Sequence, residues 1–273
     1  MTIDCLLHVH SSFSYDSRSD LADIAATARR HGFGCVLMSE HNNRMDDQQM
    51  AAFVRRCEDL SDDRLLIVPG LELAFDSNRV HLLAYGIRQF MASADPQCTF
   101  QSLVQSVREA GGLAVLAHPS HRQAIDRITA ADLQELSGIE VWNVKNGNRF
   151  CPTGCDLRLL QQLRARGESM FGFAGVDWHH LNNFEPLVTR VEAATLTPQS
   201  ILQALRDGRF TVRGRFVSLD ATGETGAARL AVYTHASGAL LRTRQAAYRW
   251  QRTLEQRGVR TPRVLAALAR RVF

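Results

Sequence analysis

With 273 residues, 45% of them hydrophobic and 22% charged, the chain has the make-up of an ordinary globular protein, long enough for one α/β barrel with an appendage. That composition excludes a disordered chain, and the absence of a basic start before a long apolar run, or of roughly 18 to 20 consecutive apolar residues, predicts a cytoplasmic protein without a membrane span. The net charge of +4 is segregated, since residues 201–273 carry 14 arginines against four acids, and arginine outnumbers lysine 31 to one along the chain.

Strand-length apolar runs alternate with helical patterns as far as about residue 210. The first run, "IDCLLHVH", is followed by the helix "DLADIAATARRHG", with Ser19 as its cap and Gly32 as its stop. Next come the strand "GCVLMSEH" and the helix "DDQQMAAFVRRCEDL". The strands "RLLIVPGLEL" and "RVHLLAYG" are separated by only a few residues, which predicts a hairpin or a tight excursion. Beyond them lie the helix "TFQSLVQSVREAGG", the strands "GLAVLAHP" and "GIEVWN", the helix "GCDLRLLQQLRARG" and the strand "SMFGFAGVDWH". Repeated βα units with about seven strands before residue 180 favour a closed barrel over an open sheet.

After "TPQSILQALRDGRF" the pattern becomes turn-rich, and then helical in "GALLRTRQAAYRWQRTLEQRG", with Gly258 and Pro262 as the stop. Leu240, Ala247 and Leu254, seven residues apart, could pack on the barrel and leave the arginines in water. The six cysteines are scattered, so a reduced compartment is expected. The pair in "CPTGC" lacks the second pair of a zinc knuckle and is read as structural.

The chemistry-bearing residues fall in a pattern. His8 and His10, two apart at a strand end, share one face. His41 ends the second strand, Glu72 ends "GLEL", His81 lies in "RVHLLAYG", His118 ends "LAVLAHP", and Asp177 with His179 ends "GVDWH". Asp16 follows through the turn "SSFSYD". In a parallel barrel such ends converge on one mouth. Six imidazoles and three carboxylates are too many for one ion, and a nitrogen–oxygen mixture suits zinc, manganese or iron rather than calcium or magnesium.

In this order, "HVH" with "SSFSYDS", "SEHN", "AHP" and "GVDWH", with "GLEL" and His81 between the second and third, the motifs resemble the PHP domain. This is the polymerase and histidinol phosphatase superfamily of metal-dependent phosphoesterases, and the resemblance spans roughly residues 3 to 215. It implies an α/β fold, a distorted (β/α)7 TIM-like barrel over residues 1–215 with a helical, basic extension over 216–273, and a mouth holding two or three divalent ions. By the same likeness His8, His10, Glu72 and Asp177 bind one ion, Glu72 bridges to a second held by His81 and His118, and Asp16, His41 and His179 bind a third. Asp16 stands where some relatives have histidine, and Ser39-Glu40-His41 where threonine-aspartate-histidine is common, so the third position departs most from the family.

The expected reaction is hydrolysis of a phosphate ester, a monoester of a small metabolite or nucleotide, because clustered dications neutralise the anionic substrate and activate water. Arg18, Arg122 and Lys145 follow strand ends and are candidates to hold the phosphate. His121 and His180, beside the motifs, are candidates to protonate the leaving group. Three other readings compete with this one. An amidohydrolase would use the single lysine, Lys145, as a carboxylated bridge; a retired barrel would bind without catalysis; and a nucleic-acid phosphodiesterase would use the basic tail along a phosphate backbone, which is possible but not favoured.

Overall fold

The computed structural model describes residues 1–93, 98–180 and 187–256. Its elements run β1 (Thr2–Val9), α1 (Leu21–Arg30), β2 (Cys35–Met38), β3 (Glu40–His41), α2 (Asp47–Leu60), β4 (Leu66–Val68), β5 (Gly70–Phe75), β6 (Val80–Tyr85), α3 (Phe100–Glu109), β7 (Leu113–Leu116), α4 (Ala130–Leu133), β8 (Gly138–Asn143), α5 (Gly154–Ala165), β9 (Phe171–Gly175), β10 (Val188–Glu192), α6 (Pro198–Arg206), β11 (Phe210–Arg213), β12 (Ser218–Asp220) and α7 (Ala227–Gln256). Short 3-10 turns cover Asn42–Arg44 and His121–Arg127.

The strands form two mixed six-stranded sheets, ordered β12-β11-β10-β1-β2-β4 and β3-β5-β6-β7-β8-β9. The expectation of one closed (β/α)7 barrel is therefore met only at the level of an α/β fold with mixed sheets. Two strand pairs carry the chain from one sheet to the other. β2 passes into β3 through Ser39, and β4 into β5 through Pro69, where proline has no N–H to give a ladder. On the other side, Val176 N donates to Leu7 O (3.0 Å), Trp178 N to His8 O (3.1 Å) and His10 N to Trp178 O (2.9 Å), tying the residues after β9 to the end of β1.

The expected hairpin is present, with β5 and β6 antiparallel and Ala74 opposite His81. This matters for the site, because an antiparallel strand brings its start, not its end, to the edge where its neighbours finish. β2 and β7 are buried along their whole length, consistent with apolar runs too continuous to be half-exposed. Helix starts follow their caps. Asp46 and Thr99 each close a capping box before α2 and α3, and α1 is capped by Asp20 rather than the expected Ser19, its carboxylate accepting from Ala22 N at 2.7 Å.

α7 begins at Ala227, well before the expected "GALL", so Gly238 is a helix-interior residue. It docks on α5 through its first turns. Gly154 N donates to Ser237 Oγ (3.2 Å), and a side chain at Gly154 would run into the Thr234 backbone. Tyr233 and Ser237 are buried there, whereas Leu240, Ala247 and Leu254 are only half-buried, so the seven-residue row is not the main dock. The expected stop at Gly258 and Pro262 lies outside the described residues. All six cysteines are free, and no described helix is long and apolar enough to cross a membrane.

Candidate metal centre

The strand ends that carry the candidate ligands are not ideal strand. β1 slips register between Leu7 and Val9, and His8 takes a φ of 60°; His118 and Asp177 are also left-handed, at 29° and 50°. His8 and His10 thus meet through a bulge rather than by the simple alternation the spacing suggests. Three non-glycine residues of one site in a region L-residues avoid is backbone strain concentrated where the chemistry is expected.

Glu72, 2% exposed, lies at the centre. Its Oε2 faces His8 Nε2 (3.4 Å), His10 Nε2 (3.4 Å) and His41 Nδ1 (3.3 Å), and its Oε1 faces His81 Nδ1 (2.6 Å) and His118 Nε2 (3.3 Å). One carboxylate thus serves two groups of imidazoles with different oxygens. Asp177 Oδ1 stands 3.7 Å from His10 Nε2 and 3.9 Å from His8 Nε2. Asp16 Oδ2 stands 3.4 Å from His41 Nε2 and 3.3 Å from His179 Nε2. Among the described residues, ligand atoms within 4.8 Å of one another form three groups: His10, His41 and His179; His8, Glu72 and His118; His8, His10 and Asp177. Asp16 and His81 sit at the margin of these groups, and His81 also bonds Asn78 Oδ1 through Nε2 (3.0 Å).

The donor set fits divalent cations. His8 Nε2 and His10 Nε2 are buried without a hydrogen-bond partner, as is His118 Nδ1, and buried polar atoms normally find one. Burial opposes charge on Glu72, yet the imidazoles of His81 and His8 outweigh it and hold the carboxyl well below the usual carboxylate range. Asp177 behaves likewise: burial raises its pKa, but His8 and Lys145 pull it lower still. Burial, with His179 and His41 beside it, holds His10 below its ordinary value and so in the neutral form a metal requires. Buried carboxylates this crowded call for positive charge, and a cation bound by both donor types would supply it in place of protons on imidazoles such as His8, whose pKa its carboxylate neighbours raise despite burial.

Behind the ligands stands a layer that sequence reasoning missed. Glu140, 1% exposed, bonds His8 Nδ1 (2.8 Å) and accepts from His118 N (3.0 Å) and Asn143 Nδ2 (2.9 Å). Gly175 makes room for it, since a methyl there would meet both Glu140 Oε1 and His8 Cβ. Glu40, buried beside His41, accepts from Ser11 N (2.9 Å), Ser11 Oγ (2.6 Å) and Ser14 Oγ (2.5 Å). Ser14 Oγ in turn lies 3.3 Å from His10 Nδ1 and accepts from His41 N at 2.9 Å. The serine-rich turn after the two histidines is therefore the clasp that locks His10 and His41. Asn146 Nδ2 donates to Asp177 Oδ2 at 2.6 Å. A glutamate inside an apolar strand, as in "GIEVWN", was the available signal for Glu140.

The remaining candidates divide. Lys145 is at the site, with Nζ 3.0 Å from His179 Nε2 and 3.3 Å from Asp177 Oδ1. His121 packs edge-on against His118, ring centroids 5.4 Å apart. His180 is exposed, with its carbonyl accepting from Trp178 Nε1, and Arg18 is exposed with no ion pair among the described residues. Arg122 belongs to the 3-10 turn after His118, and its side chain lies outside what is described.

Asp156, missed as well, is buried at the start of α5 and accepts from Ser120 N (3.1 Å) and Ser120 Oγ (3.0 Å). Burial pushes its carboxyl from 3.8 to about 7 despite those bonds. A raised carboxyl favours the protonated fold, so its stabilisation is complete below pH 3.8 and is lost as pH climbs through about 7. Between pH 5 and 8 the urea midpoint of Asp156→Asn should fall less than that of the parent; parallel curves would refute this assignment.

The chain belongs to the PHP domain family, whose match spans residues 7–163, more than half of the sequence. Among solved structures it is similar to a two-domain protein containing a predicted PHP-like metal-dependent phosphoesterase from Bacteroides vulgatus, with a TM-score of 0.60 and 18% identity over 87% of this chain and 70% of that one. It is also similar to PsfC from Pseudomonas syringae, with a TM-score of 0.53 and 18% identity over 86% of this chain and 97% of that one. The lesion-specific endonuclease PfuEndoQ from Pyrococcus furiosus gives 0.52 and 15%, over 77% of this chain and 56% of that one. At these identities the likeness is one of fold. No curated protein matches the sequence.

Proposed function

We propose that this protein is a metal-dependent phosphoesterase that hydrolyses a phosphate monoester of a small metabolite or nucleotide. One observation carries the reading: the buried Glu72 carboxylate is shared between His8, His10 and His41 on one oxygen and His81 and His118 on the other, with buried imidazole nitrogens left unpartnered around it. In this reading His8, His10, Glu72 and Asp177 hold one ion, Glu72, His81 and His118 a second, and Asp16, His41 and His179 a third, with zinc, manganese or iron matching the donors. Such ions supply Lewis-acid charge to the phosphoryl oxygens and make water a nucleophile near neutral pH.

The chain's own residues do the rest. Glu140, Glu40 and the Ser11–Ser14 turn fix the imidazoles before substrate arrives, so that little reorganisation remains. Lys145, part-exposed beside Asp177, is placed to pair with a phosphate oxygen, and Arg18 and Arg122 are further candidates. His121, against His118, or His180 passes a proton to the departing alkoxide. Residues 1–215 are read as the phosphoesterase unit and 216–273 as a basic extension, of which the described helix α7 packs on α5. An amidohydrolase bridge built on Lys145 is less well supported, because Glu72 already takes the bridging position.

A fold shared with an endonuclease, together with arginines along α7, favours a phosphodiester in nucleic acid as the second reading. Its hydrolysis would weaken steeply with salt, whereas a small monoester would respond little. The test is a screen of phosphorylated metabolites, nucleotides and oligonucleotides with manganese, zinc or iron, before and after chelation. Metal-restored release of phosphate supports the reading; no hydrolysis of any ester with any of the ions overturns it.

A further inference from the structure

α7 does more than cover α5. Beyond its dock at Thr234 and Ser237, where Arg158 Nη2 also donates to Thr234 Oγ1 at 3.3 Å, the helix sends Arg244 across to the segment after β8. Arg244 Nη1 donates to the carbonyls of Lys145 (2.5 Å) and Gly147 (3.4 Å), which flank Asn146. Two residues of this turn face the proposed metal centre. Lys145 Nζ is 3.3 Å from Asp177 Oδ1, and Asn146 Nδ2 donates to Asp177 Oδ2 at 2.6 Å. The turn is pinned from inside by Asn146 N donating to Asn143 Oδ1 (2.7 Å) and Gly147 N to Asn143 O (2.9 Å). Its outer carbonyls are held by the helix.

We propose that Arg244 is a positioning residue, by which the C-terminal helix sets the Lys145–Asn146 turn against Asp177 and so forms a working part of the site. This rests on the phosphoesterase reading for its catalytic consequence but not for its structural one. A guanidinium suits the task because it stays charged and offers several donors from a rigid plane, so two carbonyls can be held together. A lysine keeps the charge and three donors but lacks the fixed plane, so it should hold the pair less firmly. Among the side chains of α7 that the structure describes, Arg244 is the one bonded to this turn.

The experiment compares the full-length wild type with Arg244→Ala, Arg244→Lys and, as a control, the exposed Arg242→Ala. Amide hydrogen exchange is read over residues 143–150, and manganese-supported hydrolysis of p-nitrophenyl phosphate is followed in parallel. Arg244→Ala should exchange faster over 143–150 while α5 and α7 keep their protection, with kcat/KM down roughly tenfold. Arg244→Lys should recover part of both, and Arg242→Ala should match the wild type. Unchanged exchange over 143–150 in Arg244→Ala overturns the proposal. So does loss of protection throughout α5 and α7, which would make Arg244 only a docking residue. If even the wild type hydrolyses nothing, the phosphoesterase reading fails, while the exchange data still decide whether Arg244 braces the turn.

Discussion

Asp177→Ala should hydrolyse phosphate esters at about a thousandth of the wild-type rate or less. Several kcal/mol of transition-state stabilisation is attributed to metal-borne charge of the kind proposed for this site, and each 1.36 kcal/mol is tenfold in rate. Asp177 is placed to anchor that charge, since Oδ1 faces His8, His10, Lys145 and His179, and Oδ2 accepts from Asn146 and Asn143. Alanine removes the carboxylate, but it must also adopt Asp177's left-handed φ of 50°, which costs energy of its own. Asp177→Asn separates the two effects, because asparagine tolerates that conformation and lacks only the charge. Both variants should lose activity alike. An active asparagine variant beside an inactive alanine one would mean that backbone strain, not charge, was being read.

Glu140→Ala should bind divalent metal ten- to a hundredfold more weakly, the usual consequence of removing a carboxylate behind a histidine ligand. Glu140 orients His8 through Nδ1, which leaves Nε2 aimed at Glu72, and holds the His118 backbone through its N–H. Its removal also strands three buried groups that now bond it, at about 1–3 kcal/mol for each one left unpaired. The variant should therefore unfold at lower urea as well as bind metal less tightly. Glu140→Gln fills the same space and should recover more of the stability than of the affinity. Equal manganese affinity in Glu140→Ala and wild type would contradict the role given to this residue.

The candidate ligands were legible because their types are rare on strand ends and their spacing is simple. His8, His10, His41, His118, Asp177 and His179 each stand at or just beyond the end of an apolar run, and those runs became strands. His81 was singled out from its strand and the PHP resemblance, and the hairpin explains its place, since the short connection makes β6 run backwards. The supporting residues were harder to read. Glu140 and Glu40 are ordinary charged letters until the fold buries them, and which histidine each one holds depends on pairings 132 and 29 residues away, His8 with Glu140 and Ser11 with Glu40. The division into two sheets turns on Pro69 and Ser39, single-residue breaks inside what reads as continuous strand. The role of α7 was hidden for a similar reason: fourteen arginines in the last 73 residues look alike in sequence, and only a long-range contact singles out Arg244.

The most direct test of the metal-centre account is the metal content of the purified full-length chain, measured by plasma mass spectrometry after exposure to zinc, manganese or iron and removal of free ion. The account predicts at least two tightly held equivalents of one of these metals in the wild type and a clear loss in Asp177→Ala. A wild-type protein that retains less than one equivalent of every ion offered would contradict it.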